Sequence, residues 1–418
     1  MRIIADLHIH SKYSRSCSPA LTLPNIAAEC DRKGIGLVGT GDFTHPAWFK
    51  DIIDLLKEDE KSRGIYKLKN NETKVRFILS TEISCIYSQG GKTRRVHIII
   101  LAPSISAVEK IIKELEKRDC NLRSDGRPII GLSAKELAKV AWEADPKCLV
   151  IPAHIWTPWF AVFGSKSGFD SLVECFEELT PQIYAIETGL SSDPPMNAAL
   201  TALDDLIFLS NSDCHSPANL GREATVFEAD KDKFDYYQLF DILKNKERKK
   251  ISYTVEFFPE EGRYQYDGHA DCNFSCPPEE SRKLDNKCPK CGKPLILGTL
   301  YRISQLANRA SPRPDQIKPF KHLIPLRETI AAALGMGKAS KKVDRIYEDM
   351  VAQRTEFEIL LDLDEAQLSK ISNPEIAAAI MAMRCGQVRL TPGFDGVYGK
   401  VSIEIKTNKQ KKLQEKLF

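Results

Sequence analysis

Short apolar runs recur along the first 255 positions, and between most of them apolar residues return at three- and four-residue spacing. The first pattern is that of buried strands and the second that of helices packed over them. The expected class is therefore α/β, with a largely parallel sheet. Candidate strands are Ile3–Leu7, Gly36–Thr40, Val75–Ser80, Val96–Leu101, Cys148–Ile151, Ile183–Glu187 and Leu206–Ser210, with candidate helices at Leu23–Lys33, Ala107–Arg118, Ala134–Glu143 and Ala198–Asp204. Seven strands with interleaved helices predict a closed barrel, in which chemistry sits at the C-terminal ends of the strands.

The rhythm stops near residue 255. Pro, Gly and polar residues then dominate to about residue 310, and helical spacing resumes over Leu326–Leu334, Val343–Leu361, Glu365–Ile371 and Glu375–Arg384. The chain of 418 residues is longer than one ordinary domain. Three units are expected: a barrel over 1–255, a small module over 256–310 and a mainly helical C-terminal domain over 311–418.

Composition adds limits rather than direction. With 42% hydrophobic and 28% charged residues the chain reads as an ordinary globular protein. No window approaches the roughly 20 apolar residues of a membrane span, and Asp6 and His8 interrupt the N-terminus before an export signal could develop. A cytoplasmic protein with no membrane partner is expected. The net charge of +3 says little, but basic residues cluster at 244–250, 338–345 and 406–416. The twelve cysteines read as thiols and metal ligands rather than as a disulfide framework.

The chemistry begins at Asp6-Leu7-His8-Ile9-His10. Two imidazoles two residues apart at a strand end point the same way. The other strand ends repeat the theme: Asp42 after the second strand, Glu82 after the third, His97 at the start of the fourth, His154 after the fifth, and Asp213-Cys214-His215 after the last. Five of the eight histidines of the chain fall at these positions. Such a set suits two or three divalent ions of the Zn, Mn or Mg kind, of the sort that hydrolyse phosphoesters. After His154, the residues Trp156, Trp159 and Phe160 could stack on bases or form a satellite core. The loop carrying Ser191 and Asp193 lies on the same barrel end and is a candidate for substrate contacts.

The stretches DLHIH, GTGDF, STEIS, the histidine of RRVHIII, IPAHIW and SNSDCHS resemble the PHP (polymerase and histidinol phosphatase) family of metal-dependent phosphoesterases over roughly residues 1–255. The resemblance implies a distorted seven-stranded (β/α) barrel with a trinuclear site. Matched position by position, it implies that His8, His10, Glu82 and Asp213 hold a first ion, with Glu82 bridging. His97 and His154 would hold a second ion and His215 a third, and Asp213, His215 and Glu82 are the catalytic candidates. Two positions depart from the family pattern: Arg15 and Ser16 stand where an acidic residue or histidine is usual, and Asp42-Phe43 where Asp-His is usual. Asp42 is therefore expected as the other ligand of the third ion, ahead of His45 and Cys17.

The middle module carries Asp267-Gly-His269-Ala-Asp-Cys272-Asn-Phe-Ser-Cys276 and then Cys288-Pro-Lys-Cys291-Gly-Lys, a zinc-ribbon signal. His269, Cys272, Cys288 and Cys291 are the expected ligands of one structural Zn, because His269-x2-Cys272 copies the spacing of Cys288-x2-Cys291; Cys276 in place of His269 is the alternative. The ordered stretches GTGDFTHP, AHIWTPWF, ETGLSSDPPMN, SNSDCHSP, YDGHADC, CPKCGKPL and PGFDGVYGK resemble the endonuclease Q family across nearly the full length. That resemblance implies a nucleoid-associated DNA repair endonuclease that nicks duplex DNA 5′ of deaminated bases (uracil, hypoxanthine, xanthine) and abasic sites, by multi-metal activation of water. A PHP-type small-molecule phosphatase and a non-catalytic zinc-stabilised DNA-binding protein are the alternatives. The extra length beyond the barrel speaks against the first, and the number of strand-end ligands against the second. Gln414-Glu-Lys-Leu417-Phe418 resembles the pentapeptide by which bacterial repair proteins dock on the replication sliding clamp, which makes the clamp a candidate partner.

Overall fold

The computed structural model describes residues 2–230 and 233–404. The clamp-like pentapeptide Gln414–Phe418 and the third basic run lie outside the described residues. Twelve strands precede the central module: β1 (Arg2–Asp6), β2 (Leu37–Gly39), β3 (Leu56–Asp59), β4 (Ser62–Leu68), β5 (Arg76–Gln89), β6 (Lys92–Ala102), β7 (Ile129–Ile130), β8 (Leu149–Pro152), β9 (Ala185–Glu187), β10 (Ile207–Leu209), β11 (Ala224–Glu228) and β12 (Ile251–Glu256). Later come β13 (Asp267–His269), β14 (Phe274–Cys276), β15 (Phe320–His322), β16 (Val388–Thr391) and β17 (Lys400–Ile403).

All seven expected strands are present, and the fold is α/β, but the sheet is mixed rather than largely parallel. β1–β2, β2–β5 and β9–β10 pair in parallel, whereas β5–β6, β6–β8, β1–β11 and β11–β12 are antiparallel. The departure originates at Gly90-Gly91, both in the left-handed region (φ 61° and 72°). Two such residues close a tight turn that folds β6 straight back on β5, where a parallel partner would need a crossover. The expected strands 75–80 and 96–101 are the inner ends of this long hairpin, so Glu82 and His97 lie within strands rather than beside their ends.

One buried apolar cluster draws Ile3, Ala5, Leu37, Ile78, Ile99, Leu149, Ala185 and Ile207 from β1, β2, β5, β6, β8, β9 and β10. A parallel bridge from Ile9 to Cys214 joins the segment after β1 to the segment after β10. Helices cover the outside. Leu23–Lys33 and Ala134–Ala144 lie where expected, and the latter begins at Ser133, whose hydroxyl accepts the Glu136 N–H (3.1 Å). The expected helix 198–204 is instead a turn at Pro194–Asn197 and a 3-10 turn at Thr201–Leu203. Asn197 ends the first by donating its side-chain amide to Asp193 O (2.9 Å) and Ser192 Oγ (3.0 Å).

In the C-terminal part, helices occupy Leu326–Leu334, Glu365–Ile371 and Pro374–Arg384. The expected long helix 343–361 is two pieces, Lys341–Val351 and a wide turn at Glu358–Asp362. Thr355 breaks it by donating its backbone N–H and hydroxyl to Glu358 Oε2 (2.8 and 2.9 Å). β15 pairs in parallel with β12, so this part of the chain adds a strand to the main sheet. Lys33, almost fully buried at the end of the helix Leu23–Lys33, donates to Ala218 O and Leu220 O (both 2.7 Å) and lies 3.7 Å from buried Glu356. Among the described residues no helix is long and apolar enough to cross a membrane.

Candidate metal centre

Four atoms of four residues converge at one end of the sheet: His8 Nε2, His10 Nε2, Glu82 Oε2 and Asp213 Oδ1. Their separations are 3.4 Å (His8–Glu82), 3.8 Å (His8–Asp213), 3.3 Å (His10–Glu82) and 3.0 Å (His10–Asp213). A tetrahedral ion with bonds of about 2.0–2.1 Å has ligand–ligand edges of about 3.3–3.4 Å, and the observed values bracket that. His8 Nε2 is buried and makes no hydrogen bond. A buried imidazole nitrogen that faces two carboxylates and has no hydrogen-bond partner fits a cation site. The other carboxylate oxygen, Glu82 Oε1, lies 2.7 Å from His97 Nδ1 and 3.1 Å from His154 Nε2, forming a second group. Glu82 thus turns one oxygen to each group, the geometry of a bridging carboxylate.

The imidazoles are held from behind. His8 Nδ1 is 3.0 and 3.1 Å from the oxygens of Glu187, which also accepts the His154 N–H (2.9 Å) and the Asn211 amide (2.9 Å). His10 Nδ1 is 3.0 Å from Asp42 Oδ1. Asp42 Oδ2 accepts from Ser11 N (2.7 Å), Ser11 Oγ (2.6 Å) and Ser14 Oγ (2.8 Å). Both carboxylates fix the Nδ1–H tautomer and aim Nε2 inward, as carboxylates behind metal-bound histidines do. Asp42 thus orients His10 and lies outside both ligand groups.

His215 also stands apart from both groups. Its Nδ1 lies 2.9 Å from its neighbour Asp213 O and its ring packs 4.8 Å from His10 at the open side. No third group appears among the described residues. His45 stacks on Tyr13 (4.4 Å), and Cys17 is half-buried, its thiol pushed up to about 12 by burial.

Sequence reasoning missed two residues. Glu187 is fully buried at the end of an expected strand, where the rule that found Glu82 applies equally. Arg127 donates Nη1 to Glu82 Oε2 (3.1 Å) from a loop with no periodicity to mark it. That loop is held by Gly126 N–H to Tyr13 O (3.1 Å) and Arg127 N–H to Asp125 Oδ1 (3.1 Å). A side chain on Gly126 would collide with Asp42 and Ser14.

The electrostatics are those of a cation site. Burial disfavours the His8 and His10 imidazolium ions, but Glu187 and Glu82 around the first and Asp42, Asp213 and Glu82 around the second hold both well above the ordinary range. Burial works against Glu82 and Asp213 as well, yet surrounding imidazoles pull both below the ordinary carboxylate range, helped at Glu82 by Arg127. Burial pushes His97 down to about 4. Asp42, His154 and Asp213 hold left-handed backbones (φ 48°, 28° and 45°). Such strain at three residues of one site is retained because the surrounding fold enforces it.

The candidate substrate residues divide. Trp156 is buried, donates Nε1 to Asn197 Oδ1 (2.7 Å) and packs on Phe163 (4.9 Å), so it is core and not a stacking surface. Trp159 is half-buried against Tyr264 (5.7 Å), and Phe160 covers His97 (4.7 Å). Ser191 is buried. Asp193 is committed to capping Pro194–Asn197 through Met196 N–H (2.9 Å) and to His322 (3.3 Å). Trp156 and Asp193 are thus engaged within the fold.

In the central module His269, Cys272, Cys288 and Cys291 come together, with His269 Nδ1 3.7 Å from Cys291 Sγ. Cys276, the alternative ligand, turns into the module's small core beside Ser281 Oγ (3.3 Å). An imidazole and three thiols with no charged neighbour in the group suit Zn²⁺.

A family model described as the MJ0043 C-terminal domain matches residues 325–387. Across almost all of its length the chain is similar to the lesion-specific endonuclease PfuEndoQ of Pyrococcus furiosus, with TM-score 0.85, 31% identity and 99% of each chain covered. It is likewise similar to Endonuclease Q in complex with a 27-mer duplex substrate carrying an abasic lesion at the active site, with TM-score 0.84, 32% identity, and 97% of this chain and 98% of that one covered. Protein MJ0043 of Methanocaldococcus jannaschii is 34% identical over 323 residues, 71% of this chain; the match spans only 40% of that relative.

Proposed function

The chain belongs to the endonuclease Q family, and from that premise we propose that it is a metal-dependent DNA repair endonuclease that hydrolyses the phosphodiester 5′ of a deaminated base (uracil, hypoxanthine or xanthine) or an abasic site in duplex DNA. The observation that carries this reading is Glu82, one oxygen facing His8, His10 and Asp213 and the other facing His97 and His154. That arrangement fits two divalent ions of the Zn, Mn or Mg kind sharing a carboxylate. Nine strands contribute buried residues to the inner apolar cluster, and the seven expected ones among them, β1, β2, β5, β6, β8, β9 and β10, support reading the fold as the family's distorted seven-stranded barrel.

When bound, the ions would activate water and neutralise charge on the phosphate. The protein's own side chains do the rest. Glu187 and Asp42 hold His8 and His10 in one tautomer and one orientation. Arg127 offers a permanently charged fork at the mouth, suited to the non-bridging oxygens of a phosphodiester. His215, with Nδ1 engaged by a carbonyl, keeps the Nε2 lone pair free on the open side. Trp159 and Phe160 line the approach. The zinc module and the helical C-terminal region would hold the duplex through phosphate contacts, and a lesion would be selected because a mispaired or missing base costs less to extrude.

Asp213→Asn and His8→Ala should each abolish nicking of a uracil- or hypoxanthine-containing duplex while leaving duplex binding measurable. Full nicking by both variants would remove the site. Turnover of a chromogenic phosphomonoester in place of nicking would favour the small-molecule phosphatase instead.

A further inference from the structure

The turn between β16 and β17 carries two of the exposed large apolar side chains of the described residues, Val397 (42% exposed) and Tyr398 (67% exposed). Exposed side chains on a loose loop would mean little, but this loop is fastened. Gly393 N–H donates to Glu260 O (2.8 Å), Gly396 N–H to Arg263 O (3.1 Å) and Gly399 N–H to Glu261 O (3.1 Å), and Tyr266 N–H donates back to Gly393 O (3.0 Å). Phe394 is its buried anchor against Gly268 of the zinc module. Gly393 and Gly399 leave no room for a Cβ, which seats the turn directly on the backbone of residues 260–262.

Both signs of charge border the turn: the Arg263 guanidinium lies 4.4 Å from the centre of the Tyr398 ring and Lys400 follows on β17, while Glu260, Glu261 and Asp395 belong to the same junction. The loop also connects by contact to the metal centre. His154 Nδ1 meets Thr157 Oγ1 (3.3 Å), which donates to Trp159 O (2.8 Å); the Trp159 ring meets Tyr264 (5.7 Å), and Tyr264 borders Gly396. A fastened turn presenting an exposed aromatic ring against a guanidinium, linked to the mouth of the site, matches a nucleic acid with unstacked bases rather than an apolar protein partner.

We propose that this turn is the element that enters the duplex beside the lesion, with Tyr398 stacking on the base left without a neighbour when the damaged nucleotide leaves the helix. The proposal rests on the endonuclease reading above. It assigns Tyr398 a positioning role that matters only while the lesion is still paired into a duplex.

The test compares two substrates carrying the same uracil, one fully paired and one in a pre-opened bubble, cut by the full-length chain and by Tyr398→Ala and Tyr398→Phe. Tyr398→Ala should slow nicking of the paired substrate about tenfold, the size of one lost base–aromatic stack, and leave the bubble rate unchanged; Tyr398→Phe should cut both normally. Equal losses on both substrates, or no loss on either, would overturn the proposal. A wild-type chain that nicks neither substrate would instead overturn the nuclease reading, a result the comparison keeps separate.

Discussion

At the residue scale the site is a set of imidazoles made useful by the carboxylates behind them. Glu187 touches His8, the His154 backbone and Asn211 at once. Glu187→Gln should therefore weaken metal binding at the barrel about 10- to 100-fold, read by metal titration of the intact chain; unchanged affinity would show that His8 needs no partner. A different pair of acids makes a pH prediction. Glu223 and Glu256 are fully buried, and burial holds both well above the ordinary carboxylate range. A carboxyl raised in the fold and ordinary in the unfolded chain favours folding while protonated. Its contribution is complete below the ordinary carboxylate pKa and is lost as pH rises through the raised one. Glu256→Gln, which keeps the protonated shape, should melt progressively higher than the parent as pH rises above the ordinary carboxylate range. A difference that stays constant as pH rises would contradict the assignment. Much of this site was readable beforehand, because imidazoles and acids beside apolar runs declare themselves in one dimension. Asp42 and Glu82 looked alike there, and only the packing of Ser11 and Ser14 around Asp42 separates an orienting acid from a ligand. Trp156 and Trp159 were equally indistinguishable, since burial and exposure alternate along an irregular loop without a period.

At the level of elements, the hairpin β5–β6 is what the sequence pattern concealed. Its inner half is continuously apolar and reads as a buried parallel strand, while the outer half alternates toward Gly90-Gly91. The consequence is functional: the hairpin brings Glu82 and His97 onto adjacent strands, with Ser84 opposite His97 in register. The zinc module was more legible, because two-residue spacing between ligands is a local constraint. Its buried apolar core among the described residues is Cys276, Cys288 and Leu295, too small to hold a fold unaided. Cys288→Ser, or chelation of the parent chain, should expose residues 267–298 to protease before any other described segment is cut. Unchanged cleavage kinetics would mean that the module is held by its neighbours and not by an ion.

On the scale of the whole molecule, packing crosses the expected boundary between the first 255 residues and the C-terminal part. β15 extends the main sheet through β12, a single apolar core takes in Ile26 and Leu220 together with Ile330, Tyr347 and Ile380, and Lys33 is buried against Glu356. Nothing in Phe320-Lys-His322 marks it as a strand; three residues carry no period, and pairing with β12 is decided by the distant chain. Arg2–Asp362 (2.7 Å) and Arg32–Glu348 (2.6 Å) tie the same surfaces at the periphery.

The added strand has a mechanical meaning. The C-terminal region is joined to the sheet that carries the metal centre by main-chain hydrogen bonds as well as by side chains, so a load placed on one is felt by the backbone of the other.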